Sequence, residues 1–80
     1  MFKKEYPNLE WWIDSQGWIE MGEDEYSTSW VRILDIGGMC WEDRDSKSLD
    51  EALRKGDIWL SYEIESRYGE KPLKKYGKNE

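Results

Sequence analysis

Six tryptophans in a chain of 80 residues are the feature that most limits how this protein can fold. Burying one tryptophan removes about 200 Å² of surface from water, worth about 5 kcal/mol at about 25 cal/mol per Å². Five of the six lie in short, strand-like segments that precede the single strongly helical stretch, and only Trp59 lies within that stretch. The pattern predicts a sheet in which indole side chains supply much of the core.

The rest of the composition is unusual for a folded domain. Leu, Ile, Val and Phe together number fourteen, and the net charge is −6. Few aliphatic residues and a high net charge are typical of disordered chains. Twelve aromatic residues and a regular apolar period are not. We therefore expect one small folded domain.

Charge divides the chain into an acidic body and basic ends. Residues 5–70 carry seventeen acids and six bases, a net charge of −11, whereas residues 71–80 carry four lysines against one glutamate. With the apolar pattern, this division predicts an N-terminal extension at 1–8, a single domain at 9–70 and a basic C-terminal tail at 71–80. An acidic body repels phosphate backbones, which argues against direct nucleic-acid binding and favours a basic protein partner.

Several kinds of chemistry are excluded by residue type. The absence of histidine removes the imidazole base and the histidine metal ligand, and one cysteine, Cys40, forms no internal disulfide. The segment that begins at Asp43 resembles a calcium loop, but Arg54 stands at the twelfth position, where glutamate is required. We expect no enzyme activity, no catalytic residue, no cofactor and no metal. No apolar run approaches the about 20 residues that span a bilayer, so we expect no membrane association and a cytoplasmic location.

The apolar pattern predicts an antiparallel meander of three to four strands. Residues 9–14 and 18–21 flank a three-residue loop in which Gly17 would supply a positive φ, as in a hairpin. Residues 30–34 and 39–42 would form two further strands. Either Val31 and Ile33 or Trp30 and Leu34 could face inward on the third strand, and we favour the first pair.

A long helix follows the strands and would pack on one face of the sheet, giving an α+β fold. Ser48 and Glu51 form a capping box at its start, and Gly69 ends it. At 100° per residue its apolar stripe contains Leu49, Ala52, Leu53, Gly56, Leu60 and Ile64.

The opposite face of the predicted hairpin carries the candidate contact site. Trp12 and Trp18 would lie diagonally across the hairpin on that face, and large apolar groups ringed by charge mark contact sites. Their rim would be Glu10, Asp14 and Glu20. The alternative is that a loop or a tail covers both indoles, or that they only stabilise a thin sheet.

A second candidate site lies on the helix, away from its core stripe. Ile58 and Tyr62 form this patch, with Trp59 beside them. Leu73 and Tyr76 of the tail could cover it, or it could form a dimer contact.

Three segments occur in an order that resembles one known family. They are Asp35-Ile36-Gly37-Gly38-Met39, then Ser48-Leu49-Asp50-Glu51-Ala52-Leu53, then Gly69-Glu70-Lys71-Pro72-Leu73. In this order they resemble the N-terminal domain of HicB-type antitoxins over residues 30–73. The resemblance implies a partial double-stranded-RNA-binding-type fold that masks a small basic ribonuclease or another partner. The chain departs from the family in having Gly37 where the turn carries proline, a longer linker before the helix and an extra amino-terminal strand.

These features together favour a small acidic protein-interaction module, with an antitoxin or inhibitor as its sharpest form. The alternative is a structural homodimer that closes through its tryptophan face. An enzyme using a carboxylate pair is a third hypothesis, which the small size of the domain disfavours.

Overall fold

A computed structural model describes residues 2–22 and 29–76 of the chain. The elements in this part are α1 (Phe2–Glu5), α2 (Pro7–Ser15), β1 (Trp18–Met21), β2 (Val31–Asp35), β3 (Gly38–Glu42) and α3 (Leu49–Tyr68). None of the helices described is both long enough and apolar enough to cross a membrane.

The strands form the predicted antiparallel meander, in the order β1-β2-β3. Ile19 pairs with Ile33, and Ile33 pairs with Trp41. A bulge between Ile33 and Leu34 then shifts the register, so that Leu34 lies opposite Met39. Val31 and Ile33 are fully buried, which confirms the face that the sequence favoured.

Helix α3 begins and ends where its capping signals predict. The Ser48 side chain accepts a hydrogen bond from the Glu51 N–H at 3.1 Å, and Gly69 ends the helix at a left-handed φ of 64°. Glu51 in turn accepts a hydrogen bond from the Lys47 N–H. The predicted stripe is buried apart from Leu49, so the α+β class with a long helix packed on one face of the sheet is confirmed.

Residues 9–14 were predicted as a strand, and this prediction is wrong because they lie in helix α2. Pro7 occupies the first turn, where its fixed φ suits a helix and its missing N–H costs nothing. The helix turns Leu9 and Trp12 inward and leaves Ile13 44% exposed. A hairpin between residues 9–14 and β1 therefore does not form.

Both predicted domain boundaries lie too far inward. Tyr6 and Asn8 are buried, so part of the predicted N-terminal extension belongs to the core. At the other end Pro72 is buried, and the Lys74 carbonyl accepts a hydrogen bond from the Asn8 amide at 2.8 Å. The described part of the predicted tail, residues 71–76, is thus packed on the domain. The remaining tail positions, 77–80, lie outside the described residues.

Helices α2 and α3 cover the same face of the sheet. At Gly56 of α3 an added Cβ would lie 3.2 Å from the Trp41 side chain, 3.4 Å from Ile33 and 3.6 Å from Leu9. Glycine at this point therefore lets α3 approach side chains of the sheet and of α2. The other face of the sheet carries no helix in the described part of the chain.

Candidate protein-interaction surface

The predicted pair of exposed tryptophans is separated by the fold. Trp12 is only 1% exposed, and its indole Nε1 donates a hydrogen bond to the Leu34 carbonyl oxygen at 2.9 Å. Its ring also packs edge-on against Tyr68, with 6.2 Å between ring centroids. Trp12 is therefore a core residue, and its predicted place on a contact surface is wrong.

Trp18 does lie on the sheet face opposite the helices. Ile33 contacts α3, so alternation along β2 turns Leu34 to the other face, where Trp18 and Met39 are its partners on the two neighbouring strands. Trp18 is 45% exposed and Met39 is 54% exposed. We call this apolar row of Trp18, Leu34 and Met39 the open-face row.

A charged row lies beside it on the same face. Arg32 pairs with Glu20 on one side and with Glu42 on the other. The Arg32 guanidinium is buried and bonds Glu20 at 3.2 Å, the Ser29 carbonyl at 2.9 Å and the Gly22 carbonyl at 2.9 Å. The acids are more accessible than the arginine, with the Glu20 side chain 46% exposed. The face therefore presents apolar groups beside carboxylates.

The other predicted rim acids are not on the sheet. Glu10 and Asp14 belong to α2, which packs against α3. Of the five residues predicted around the hairpin, Trp18 and Glu20 thus remain together, and Trp18 Nε1 donates a hydrogen bond to Glu20 at 3.3 Å.

The second predicted patch lines a groove between β3 and α3. Ile58 and Tyr62 belong to its wall, and its volume is about 670 Å³. Trp41 of β3 stacks on Trp59 of α3, with 6.2 Å between ring centroids and 24° between ring planes. The full lining is Met39, Cys40, Trp41, Glu42, Arg44, Lys55, Ile58, Trp59 and Tyr62. Met39 therefore belongs both to this β3–α3 groove and to the open-face row.

The C-terminal segment does not cover this groove. Tyr76 instead donates a hydrogen bond to the Asp57 carboxylate at 2.7 Å, and Leu73 is 59% exposed. Tyr62 is 52% exposed. The sequence left open whether the tail covers the patch of Ile58 and Tyr62 or whether the patch forms a dimer contact. Residues 71–76 do not cover it, so the first alternative is excluded.

The charged residues that line the groove are Glu42, Arg44 and Lys55. Lys55 lies 3.3 Å from Glu51 and also donates a hydrogen bond to the Arg44 carbonyl oxygen at 3.4 Å. Burial, followed by the nearby Asp35 carboxylate, raises the pKa of the Cys40 thiol. A raised pKa reduces the thiolate fraction at neutral pH, so Cys40 is poorly suited to act as a nucleophile.

A buried carboxylate lies elsewhere, between α2, α3 and the C-terminal segment. Asp57 is fully buried and accepts hydrogen bonds from the Leu9 N–H at 2.8 Å, the Asn8 amide at 3.3 Å and the Tyr76 hydroxyl. Burial raises the pKa of Asp57, and the hydrogen bonds from Tyr76, Leu9 and Asn8 oppose that rise. Because every partner is a donor that is held in place, the arrangement suits a structural tie between three segments.

Sequence reasoning missed Leu34, Met39 and Trp41 as surface residues. Leu34 could have been found, because placing Val31 and Ile33 inward turns Leu34 outward. The faces on which Met39 and Trp41 lie depend on the bulge in the β2–β3 register, and the sequence gives no clear local signal for that bulge.

The described residues contain no group of three His, Cys, Asp or Glu side chains placed to hold a metal ion. Comparison of the chain with protein-family models, with curated proteins and with solved structures gave no match.

Proposed function

We propose that this protein is an interaction module that binds a basic protein partner through the open face of its sheet. The observation that carries the proposal is the open-face row of Trp18, Leu34 and Met39, which lies beside the accessible carboxylates of Glu20 and Glu42. Exposed apolar groups with a polar rim are typical of contact sites, and tryptophan is among the residues that contribute most to binding.

The overall charge supports a basic partner. The net charge is −6, and residues 5–70 alone carry −11. Such an excess speeds the approach of an oppositely charged protein and disfavours acidic competitors. Buried apolar contacts at Trp18 would then supply most of the affinity, because rim charges act more on the association rate than on affinity.

The sharpest form of the proposal is an inhibitor that masks a small basic protein, as the resemblance of residues 30–73 to HicB-type antitoxins implies. A single free cysteine suits the reducing compartment in which we place this activity, the cytoplasm.

Affinity capture from the cells that make the protein tests the proposal. Tagged full-length protein is incubated at low salt, and the recovered proteins are identified and quantified by mass spectrometry. We expect one basic protein at near-equal amounts that is released by raised salt. Trp18→Ala should weaken its capture at least about tenfold, because losing a central aromatic contact commonly costs 2 kcal/mol or more.

Matched variants separate the open face from general effects. Leu73→Ala is the control for Trp18→Ala, because it removes a similarly exposed apolar side chain from the C-terminal segment. Glu20→Gln tests the charge of the open face, and its control is Glu65→Gln on α3, where Glu65 pairs with Lys75. Both controls should keep the partner, while Glu20→Gln should slow its association. Capture that is equal in Trp18→Ala and Leu73→Ala, or the absence of any stoichiometric basic protein at low salt, would contradict the proposal.

A further inference from the structure

The outer edge of β3 is open in the part of the chain that the structure describes. The sheet order is β1-β2-β3, so β3 pairs with β2 on one side and with no described strand on the other. An open strand edge presents backbone N–H and C=O groups that can pair with another extended chain.

The hydrogen bonding of β3 indicates which backbone groups are available. The Asp43 N–H donates to the Val31 carbonyl oxygen at 3.1 Å, and Glu42 lies directly opposite Arg32. Backbone groups of successive residues in an antiparallel strand point to opposite sides. The N–H and C=O of Glu42 therefore point away from β2, toward the open edge.

The β3–α3 groove runs along the same edge. Its aromatic wall is the stacked pair Trp41 and Trp59, and Ile58 and Tyr62 also line it. A volume of about 670 Å³ gives room for side chains that project from a strand laid beside β3. Alternate residues of such a strand would face this groove and the open-face side, because strand side chains alternate.

Charge around the edge selects the kind of strand. The stretch from position 35 to position 45 carries four acids, Asp35, Glu42, Asp43 and Asp45, against Arg44 alone, a net charge of −3. Of the two bases that line the groove, Lys55 lies 3.3 Å from Glu51, and Arg44 is the base already counted in this stretch. Like charges oppose the edge-to-edge pairing of two copies, whereas a basic segment is attracted.

We propose that β3 accepts an extended basic segment of the partner protein as a fourth strand, with the apolar side chains of that segment seated in the β3–α3 groove. This inference rests on the proposed function, and it adds the conformation and the residue pattern of the bound segment. The segment alternates apolar residues with lysine or arginine, and its basic side chains lie near Glu42.

Peptide binding followed by NMR tests strand addition. The probe is an eight-residue peptide of alternating lysine and valine with blocked ends, and its controls are a block-ordered peptide of the same composition and an alternating glutamate-valine peptide. We expect the basic alternating peptide to bind the ¹⁵N-labelled full chain at least about tenfold more tightly than either control. At saturation, amide exchange at Glu42 should slow at least about tenfold, because its N–H becomes hydrogen-bonded.

Two substitutions at one position separate backbone pairing from charge. Glu42→Pro removes the outward N–H, which edge strands tolerate, whereas Glu42→Gln keeps the N–H and removes the charge. We expect Glu42→Pro to abolish binding and Glu42→Gln to weaken it only a few-fold. In the groove, Tyr62→Lys should also weaken binding, because it adds a like charge at an exposed site. If Glu42→Pro fails to fold, the amide exchange of Glu42 in the unaltered chain decides whether the peptide adds as a strand.

The outcomes distinguish this inference from the proposed function. Binding with unchanged exchange at Glu42, or equal binding of the alternating and block-ordered peptides, would overturn strand addition and leave the open-face proposal standing. Loss of the partner in Glu42→Pro together with its retention in Trp18→Ala would support strand addition and contradict the open face as the main contact.

Discussion

At the scale of single residues, glycine is required at position 17, but for a different reason than the one the sequence suggested. A Cβ at this position would lie 2.0 Å from the Leu34 carbonyl oxygen and 2.9 Å from both Asp35 Cα and Trp12 Nε1. The sequence predicted a glycine with positive φ in a hairpin loop, but Gly17 is not among the positive-φ glycines. Glycine is needed because the chain entering β1 passes directly against the backbone of β2.

Gly17→Ala should therefore destabilise the protein by about 1–3 kcal/mol or more, because the opposing atoms belong largely to the backbone and cannot move aside cheaply. Gly37→Ala is the control, since its nearest contact is the Asp35 side chain at 3.3 Å. Urea unfolding of both variants measures the difference. Equal stability of the two variants would show that β1 can shift away from β2.

Trp12 shows the limit of residue type as a guide. An indole is as suitable for a contact surface as for a core, and only its surroundings decide which of the two it joins. Here a buried hydrogen bond to the Leu34 carbonyl oxygen and the packing against Tyr68 place Trp12 in the core. Trp18, with a similar sequence neighbourhood, remains nearly half exposed.

At the scale of elements, α2 and α3 differ in where their capping groups come from. Helix α3 has Ser48 directly before its first residue, Leu49, and Glu51 three residues after Ser48, so its start is visible in the sequence. Helix α2 has no side-chain cap of its own at Tyr6, and its Leu9 N–H is bonded by Asp57 of α3 instead. Free N–H groups at a helix start need partners, and α2 finds one only after α3 has docked.

The buried Asp57 makes a prediction about pH. Burial raises the pKa of Asp57 in the folded protein above the ordinary value of an aspartate, so the native state binds more protons than the unfolded state at pH values above that ordinary value. The unfolding free energy contributed by this group is then largest below about pH 3.8 and is lost as the pH rises through the folded pKa.

Urea unfolding of the natural chain and of Asp57→Asn at a series of pH values measures this effect, because asparagine does not titrate. We expect the stability of the natural chain relative to Asp57→Asn to fall as the pH rises from about 3 toward neutrality. A relative stability that increases with pH would mean that the hydrogen bonds from Leu9, Asn8 and Tyr76 outweigh burial.

At the scale of the whole molecule, charge and open edges compete in deciding self-association. The β3 edge and the open-face row both invite contact, but each copy carries a net charge of −6 and the β3 edge is itself acidic. Repulsion between like-charged copies weakens homodimer formation and is screened by salt.

We therefore expect a monomer at tens of micromolar and low ionic strength, with Trp18 accessible to fluorescence quenchers. Sedimentation velocity at low and high salt measures the assembly state. A dimer at low salt that dissociates in Trp18→Ala would make a second copy, rather than a basic partner, the occupant of the open face.

What the sequence determined by itself is the part of the fold whose signals are local. The capping box at Ser48, the stop at Gly69 and the inward pair Val31 and Ile33 all follow from short-range spacing, and the structure has each of them. The α+β class follows from these elements.

Tertiary structure decided that residues 9–14 form a helix rather than a strand, and with it which side chains lie on the surface. Leu9, Trp11 and Ile13 alternate as in a strand, while Leu9 and Trp12 have helical spacing, so a short apolar segment fits both periods. Helix α2 forms because Asp57 bonds its first turn and because a buried site exists for Trp12. Both conditions involve residues more than twenty positions away, and no local pattern could reveal them.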